Sequence, residues 1–201
     1  MPSLAKTTRL EAVNIMLSTI GEAPVNSLAG TLGVDVATAE RVLNETSLEV
    51  QSMGWHFNTV PEVELIPDAS TKLITVAPNV VRIDVESSST HDLVLRGDTL
   101  FDRKNNTNQF DKSIKKVTVV TALEFSDLPQ LARHYITIRS ARIFQDRVVG
   151  SEKHHAFTLR DEMMALSKLK EYEMDTGDHS IFDNFTVSRA LRREPPINEV
   201  H

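Results

Sequence analysis

The chain has 201 residues, no cysteine, 25% charged residues and a formal net charge of −6. This length suits one ordinary domain or two small ones. The lack of cysteine excludes disulfides, thiolate metal sites and cysteine nucleophiles. The acidic balance argues against a general nucleic-acid binder, because neutralising phosphate groups requires clustered lysine and arginine.

The amino-terminal sequence shows no targeting signal and the chain shows no membrane span. Residues 1–6 lack the basic and apolar segments of a signal peptide. No stretch approaches the roughly 18 uninterrupted apolar residues of a transmembrane helix. We therefore expect a protein that is made in the cytoplasm and is not inserted in a membrane.

The first predicted helix lies near residues 8–20. Thr8 and Glu11 have the spacing of a capping box, and apolar residues then recur at helical intervals as far as Ile20. Gly21 follows, where a helix is expected to end. Ile15 is one of several apolar residues that lie off the main stripe, so this helix should be central in a bundle or packed against another chain.

The second predicted helix covers 35–53, with Asp35 as its N-cap and Gly54 after its end. Trp55 and Phe57 follow in a segment expected to be extended, so both rings should face the same side at the junction of helices and strands. The inward stripe of the helix consists of Val36, Ala39, Leu43, Val50 and Met53.

Between residues 57 and 122 the apolar period changes to two, which predicts the half-buried strands of a small antiparallel sheet. Gly97 and Asp98 separate two short strands and suit a type II′ turn. Carboxylates in this region could form the pair that hydrolyses glycosidic bonds, although strand-face and turn positions explain them more simply. The acidic residues are Asp84, Glu86, Asp92, Asp98, Asp102 and Asp111.

Helical periodicity returns over 127–148 and 152–175. The third helix is basic, and Arg142 shares its face with Leu131 and Tyr135, which favours ion pairs between helices or subunits over a DNA-binding stripe. Its basic residues are Arg133, His134, Arg139, Arg142 and Arg147. The fourth helix should end at Gly177 and bury Ala156, Leu159, Met163, Leu166 and Leu169.

Residues 178–201 have no periodicity and include Pro195-Pro196. Ile181, Phe182 and Phe185 are apolar anchors that could dock on a neighbouring molecule. The predicted fold class is therefore α+β. Residues 1–54 and 123–177 form a four-helix bundle, 55–122 form an inserted β-rich lobe, and 178–201 form an extended carboxyl-terminal docking arm.

The sequence predicts no catalytic, metal or cofactor site. It contains none of the common phosphate-binding, nucleophile-elbow, zinc-protease or dinucleotide motifs. His154 and His155 are the only adjacent histidines, and neighbours on a helix point about 100° apart, so they cannot easily share one metal ion. We therefore expect a protein that is not an enzyme.

A series of short phrases in fixed order resembles the tail tubular protein A family of short-tailed bacteriophages, from about residue 10 to residue 177. The phrases are Ala12-Val13-Asn14, Ile20–Leu28, Arg41–Asn44, Gln51–Asn58, Leu65–Asp68, Phe110-Asp111, Leu128-Pro129, Arg133–Thr137, Ala141-Arg142, Phe144-Gln145, Arg147, Gly150 and Tyr172–Asp175. No single phrase is diagnostic, and the resemblance lies in their order and spacing.

The resemblance implies a structural virion protein at the head-to-tail junction. Members of the family form a twelve-subunit adaptor ring that joins the portal to the nozzle protein, tail tubular protein B. The ring helps to provide docking sites for tail fibres and surrounds the channel through which double-stranded DNA is ejected. The acidic composition suits a channel wall that DNA passes without binding.

Six residues are the candidate interface positions of such a ring: Arg139, Arg142, Arg147, Ile181, Phe182 and Phe185. Two other classes of function stay open from the residues alone. One is a tail-associated polysaccharide hydrolase that uses paired carboxylates of the β lobe. The other is a DNA-binding regulator that uses the basic third helix.

Overall fold

The computed structural model describes residues 5–85, 89–150 and 152–176, and the side chains of 152–158 are outside that description. Within these residues the chain forms four α-helices and five β-strands. The helices are α1 (Arg9–Ser18), α2 (Val34–Ser52), α3 (Gln130–Val148) and α4 (Glu152–Thr176). The strands are β1 (Thr59–Leu65), β2 (Val80–Val85), β3 (Leu93–Arg96), β4 (Thr99–Asp102) and β5 (Ile114–Thr121). All five strands lie between α2 and α3, so the prediction of an α+β protein is confirmed.

The strands form two antiparallel sheets where the periodicity predicted one. A three-stranded sheet has the order β1-β5-β2, and β3 pairs with β4 as a separate hairpin. Arg96 pairs with Thr99 around the turn. Gly97 has φ +65° and Asp98 has a negative φ, which distinguishes a type II′ turn from a type I′ turn and agrees with the predicted type.

The predicted N-cap of α1 is confirmed, whereas that of α2 is wrong. At α1 the Glu11 amide donates to Thr8 Oγ1 at 3.2 Å and the Thr8 amide donates to Glu11 Oε2 at 2.7 Å, so the predicted capping box is confirmed. At α2 the predicted Asp35 cap is wrong, because the N-cap is Gly33 and no side chain caps the helix. Asp35 lies instead in the first turn, where a carboxylate complements the helix dipole.

The apolar interior divides into two clusters. The first contains residues from all four helices, among them Met16, Leu43, Phe144 and Leu169, each fully buried. The second lies among the strands and includes Ile74, Ile83, Leu93, Leu100, Phe110, Ile114, Val117 and Val119. The helices thus share one core, and the strands have a smaller core of their own.

The segment that connects α2 to β1 contains Trp55, which is part of the helical core. Its indole nitrogen donates to the Val50 carbonyl at 2.7 Å, and its ring stacks on Phe57 with centroids 6.4 Å apart. The extended segment predicted here is wrong, because His56–Asn58 form a 3₁₀ turn. The Asn58 side chain accepts from the Trp55 amide at 2.8 Å and holds that turn closed.

Gly54 allows a side chain of the sheet to approach the end of α2. Arg82 of β2 donates from Nη1 to the Met53 carbonyl at 2.9 Å, which satisfies an acceptor left free at the helix end. Gly54 has φ +77°, a conformation that L side chains rarely adopt, and a Cβ there would displace the guanidinium of Arg82. Glycine is therefore required here for its backbone conformation.

The inward face of α4 differs from the predicted one. Met163, expected to be buried, is 62% exposed, whereas Glu162 beside it is 6% exposed. Ala165 and Leu169 are buried with Glu162 and continue the same face. Periodicity placed an apolar residue at the inward position, but the fold uses that position for a carboxylate with two arginine partners. Ala156 and Gly177 lie outside the description.

Two apolar side chains of the other helices are also more exposed than the periodicity indicates. Met53 is 49% exposed because it is the C-cap of α2, where the chain leaves the helix. Ile15 of α1 is 40% exposed. Among the helices that the structure describes, none is long and apolar enough to cross a membrane.

Candidate interface site

Two of the three candidate interface residues of α3 lie in a group of charged side chains that joins three helices. At its centre Glu162 of α4 accepts hydrogen bonds from two arginines of α3. Arg139 Nη1 lies 2.6 Å from Glu162 Oε1, and Arg142 Nε donates to Glu162 Oε2. The two carboxylate oxygens thus have separate guanidinium donors, which is a strong, charge-assisted arrangement.

Further ion pairs extend this centre towards α2 and along α3. Arg139 Nη2 donates to Glu49 Oε1 at 2.7 Å, and Arg142 Nη1 donates to Asp146 Oδ2 at 3.1 Å. We call this connected group, Glu49, Arg139, Arg142, Asp146 and Glu162, the charge network. Arg147 of α3 and Glu45 of α2 form a separate pair at 2.8 Å. The network links α2, α3 and α4.

The electrostatics show that Glu162 is held in its charged form. Burial acts to raise the pKa of Glu162, but the hydrogen bonds from Arg142 and Arg139 outweigh it and the pKa lies below its ordinary value. The pKa of Arg139 is raised, because its bonds to Glu162 and Glu49 outweigh the effect of burial. A buried charge is stable only with such partners, so these residues depend on one another.

The structure brings Arg139 and Arg142 together around Glu162 and pairs Arg147 separately with Glu45, and the role proposed for all three between subunits stays a prediction. Arg147 is the most accessible of the three, with half of its side chain exposed. Arg142 is the least accessible, at 16%. Contact with another subunit is therefore most feasible at the Arg147 end. The other candidate interface residues, Ile181, Phe182 and Phe185, lie outside the described residues.

The remaining basic residues of α3 do not form an exposed cationic stripe. Arg133 is 5% exposed and donates to the carbonyls of Leu128 at 2.9 Å and Thr7 at 3.0 Å. Arg133 therefore joins the segment before α1 to the segment before α3. His134 is exposed. The arginine side chains that would bind phosphate are bonded within the chain, which removes the main support for a DNA-binding regulator.

A second polar centre surrounds Asp102 at the end of β4, and Asp102 is fully buried. His91 Nδ1 lies 2.6 Å from Asp102 Oδ2, and Asn105 Nδ2 donates to the same oxygen at 2.7 Å. The backbone amides of Asp92, Lys104 and Asn105 donate to Oδ1 at 3.0–3.2 Å. Burial acts to raise the pKa of Asp102, but these hydrogen bonds hold it well below its usual range.

This environment gives Asp102 a structural role. A general acid needs a raised pKa at neutral pH, and that of Asp102 is lowered. The carboxylates of the other described acidic residues in the strand region do not pair with that of Asp102. Asp92 pairs with Arg103 at 3.5 Å, and Asp111 pairs with Lys72.

Asp84 accepts from the Val85 amide at 2.9 Å, and Asp98 is exposed in the turn. Glu86 lies outside the described residues. These contacts give no support to paired catalytic carboxylates. Among the described residues no group of three or more histidines and carboxylates could hold a metal ion, and the side chains of His154 and His155 lie outside them.

Sequence reasoning missed Glu162 and His91. Glu162 follows Arg160 and Asp161 in a helix rich in charge, so nothing local marks it as buried. A signal existed in Arg139 and Arg142 of α3, because two arginines on one partly buried helix face favour a carboxylate on a facing helix. His91 precedes β3 by two residues and gives no motif with Asp102.

The chain matches the family model described as tail tubular protein over residues 10–179. The chain belongs to the tail tubular protein family. The resemblance found in the sequence is therefore confirmed. A curated relative named tail tubular protein A, from Klebsiella phage KP34, is 24% identical over 164 residues, which cover 81% of this chain and 86% of the relative.

Membership of the tail tubular protein family makes this chain a structural component of a bacteriophage virion tail. The matched residues include the five described strands and the four described helices, apart from Arg9 at the start of α1. The charge network and the Asp102 centre therefore both lie within the family's region. Their internal bonding agrees with a structural rather than a chemical use.

Proposed function

We propose that the chain is the adaptor subunit at the head-to-tail junction, in a twelve-subunit ring between the portal and the nozzle protein. The observation that carries this proposal is the family match over residues 10–179, with a relative that is itself named tail tubular protein A. The ring would also provide docking sites for tail fibres. It would be made in the host cytoplasm before it joins the virion.

The division of labour within the subunit is part of this proposal. Residues 1–54 and 123–177 act as a four-helix bundle, 55–122 as an inserted β-rich lobe, and 178–201 as an extended docking arm. The shared core of the four helices supports the first unit, and the separate core of the strands supports the second. A rigid body with an arm suits a closed ring, because each subunit needs two different contact surfaces.

The charge distribution supports passage of double-stranded DNA without specific binding. The net charge is −6, and the arginines of α3 are bonded to carboxylates or backbone carbonyls of the same chain. Repulsion from phosphate would let DNA slide along the channel wall.

Electron microscopy of the purified full chain, alone and mixed with the portal protein, tests the proposal. We expect ring particles with a central channel, in at least the portal-bound sample. A chain that stays a single subunit in both samples refutes the adaptor role. The same preparation should not retain short DNA duplexes at physiological salt and should not shorten capsular polysaccharide, and either activity would favour one of the alternative classes.

Deleting residues 178–201 tests the docking arm separately. The described helical core and charge network consist of residues before 178, so we expect the subunit to stay folded by circular dichroism. Ring formation or portal attachment should weaken. A deletion that assembles as well as the full chain removes the arm from the proposal.

A further inference from the structure

The outer face of α4 carries exposed methionines at helical spacing. Met163, Met164 and Met174 are 62%, 52% and 59% exposed. The opposite face of the same helix buries Ala165 and Leu169. Since the inner face already packs on the helical core, these three side chains are available for a contact outside the described subunit.

Met163 and Met174 lie in one stripe along α4. Met163, Ser167, Lys170 and Met174 follow each other at spacings of four, three and four residues, which keeps them on one side of a helix. The distance from Met163 to Met174 is about 16 Å at about 1.5 Å per residue. We define the methionine stripe as Met163, Ser167, Lys170 and Met174; Met164 lies beside it, about 100° around the helix from Met163. All five side chains are exposed.

The chemistry of the stripe suits an apolar, weakly acidic segment. Methionine is flexible and polarisable, so it adapts to aromatic partners, and its sulfur makes favourable contacts with aromatic rings. Lys170 adds a positive charge in the middle of the stripe. A matching segment would therefore combine aromatic residues with carboxylates.

The first part of the proposed docking arm has this composition. Residues 178–185 read Asp-His-Ser-Ile-Phe-Asp-Asn-Phe, so Ile181, Phe182 and Phe185 alternate with Asp178 and Asp183. The segment also begins directly after α4. Phe185 is nine residues beyond Thr176, which allows an extended reach of about 30 Å. That reach exceeds both the length of the stripe and the usual distance of about 10 Å between packed helices.

We infer that the methionine stripe of α4 is the receptor for the docking arm of a second copy of this chain. The inference rests on the proposed ring, in which every subunit must present a donor surface and a different acceptor surface. The arm leaves the end of α4 while the stripe extends back from that end. One helix therefore carries both halves of a head-to-tail contact.

Because the chain has no cysteine, thiols introduced at two positions are the only ones present. Two full-length variants, Met174→Cys and Phe182→Cys, are mixed, assembled and oxidised, with tags of different mass. We expect a mixed disulfide-linked dimer as the main product on a non-reducing gel. The matched control is Met53→Cys, a methionine of similar exposure (49%) at the C-cap of α2, which should give no mixed dimer with Phe182→Cys.

The particle mass, measured before oxidation, separates this inference from the proposed function. A sample without any large particle, alone or with portal, refutes the ring and the inference with it. Large particles without a link between the two positions refute the inference alone. In a single chain that carries both substitutions, a link formed only within the chain shows that the arm binds its own helix, which also overturns the inference.

Substitution of the stripe gives an independent measurement. Met163→Ser with Met174→Ser should shift assembly to higher protein concentration, with an unchanged melting temperature, because both side chains are exposed. Met53→Ser is the control and should leave assembly unchanged. Equal assembly of both variants contradicts the inference.

Discussion

Both halves of the molecule bury a carboxylate, but the two carboxylates connect segments over very different lengths of chain. Glu162 and Arg139 tie α4 to α3 and then to Glu49 of α2, which is 90 residues from Arg139. The side-chain and backbone donors to Asp102 lie within 11 residues of it. The first centre therefore forms only when the helices are assembled, whereas the second closes one hairpin and its loop.

This difference indicates how far a local change should spread. Closing a long loop costs more conformational entropy than closing a short one, so a long-range contact is supported by the whole fold around it. Loss of a charge in the network should weaken the helical core as a unit. Loss of a charge at Asp102 should be confined largely to β3, β4 and the following loop.

The largest effect is expected at Trp55, in the segment that connects the two regions. Trp55→Ala should lower the free energy of unfolding by about 3–5 kcal/mol, the range for a buried large aromatic residue. Trp55 is 7% exposed and its hydrogen bond to Val50 would also be lost. Since the chain has one tryptophan, urea unfolding should be followed by circular dichroism rather than fluorescence.

Leu48→Ala is the control for Trp55→Ala, because Leu48 is 50% exposed and its loss should cost below about 0.5 kcal/mol. An unchanged melting temperature in Trp55→Ala would mean that the ring is a surface contact and not part of the helical core.

Breaking the charge network should have the next largest effect. Glu162→Gln keeps the shape but leaves Arg139 and Arg142 without their shared charge, so we expect a loss of about 2–3 kcal/mol in chemical unfolding. Glu171→Gln is matched, because Glu171 lies on the opposite, exposed side of α4. Equal stability of the two variants would show that the network orients the helices but contributes little to the free energy of unfolding.

Asp102→Asn should lower the free energy of unfolding by about 1–2 kcal/mol, because an amide nitrogen would replace one of the two acceptor oxygens of the side chain. Hydrogen exchange should become faster in β3 and β4 and stay unchanged in the helices. Asp98→Asn, in the exposed turn of the same hairpin, is the control. Faster exchange throughout the helices would contradict the local character of the Asp102 centre.

Acid should weaken the helical region through Glu162. Its pKa is below the ordinary value of 4.5, so the folded chain binds this proton less tightly than the unfolded chain. The stabilisation is fully present above pH 4.5 and is lost as the pH falls through the lowered pKa. Melting temperatures measured from pH 7 to pH 3 should fall less in Glu162→Gln than in the natural chain. If the melting temperatures of the two proteins fall in parallel with pH, groups other than Glu162 cause the acid sensitivity.

The smallest effect on stability is expected for Arg147→Ala. Half of each partner in its pair with Glu45 is exposed, so the loss should stay below about 1 kcal/mol and diminish in high salt. If Arg147 also contacts a neighbouring subunit, ring assembly measured by light scattering should weaken more than stability does. Arg41→Ala is the control, with a looser contact of 3.9 Å to Glu45.

Local pattern predicted the elements well because it depends on neighbours along the chain. The predicted helices 8–20, 35–53, 127–148 and 152–175 agree within about three residues with those observed, and all strands fall between 57 and 122. The capping box at Thr8 and the turn at Gly97 are likewise properties of a few adjacent residues. Met163 shows the limit of prediction from local pattern, since its exposure depends on which face of α4 packs against α3.

What the sequence determined by itself was the order and type of elements, the α+β class and the family. These follow from periodicity, turn residues and the order of short phrases, which need no knowledge of distant contacts. Only the tertiary structure decided that Glu162 is buried between Arg139 and Arg142 and that Asp102 has His91 as its partner. A buried charge is stable only where the fold supplies its counter-charge, and residues far apart in sequence supply it only after the chain has folded.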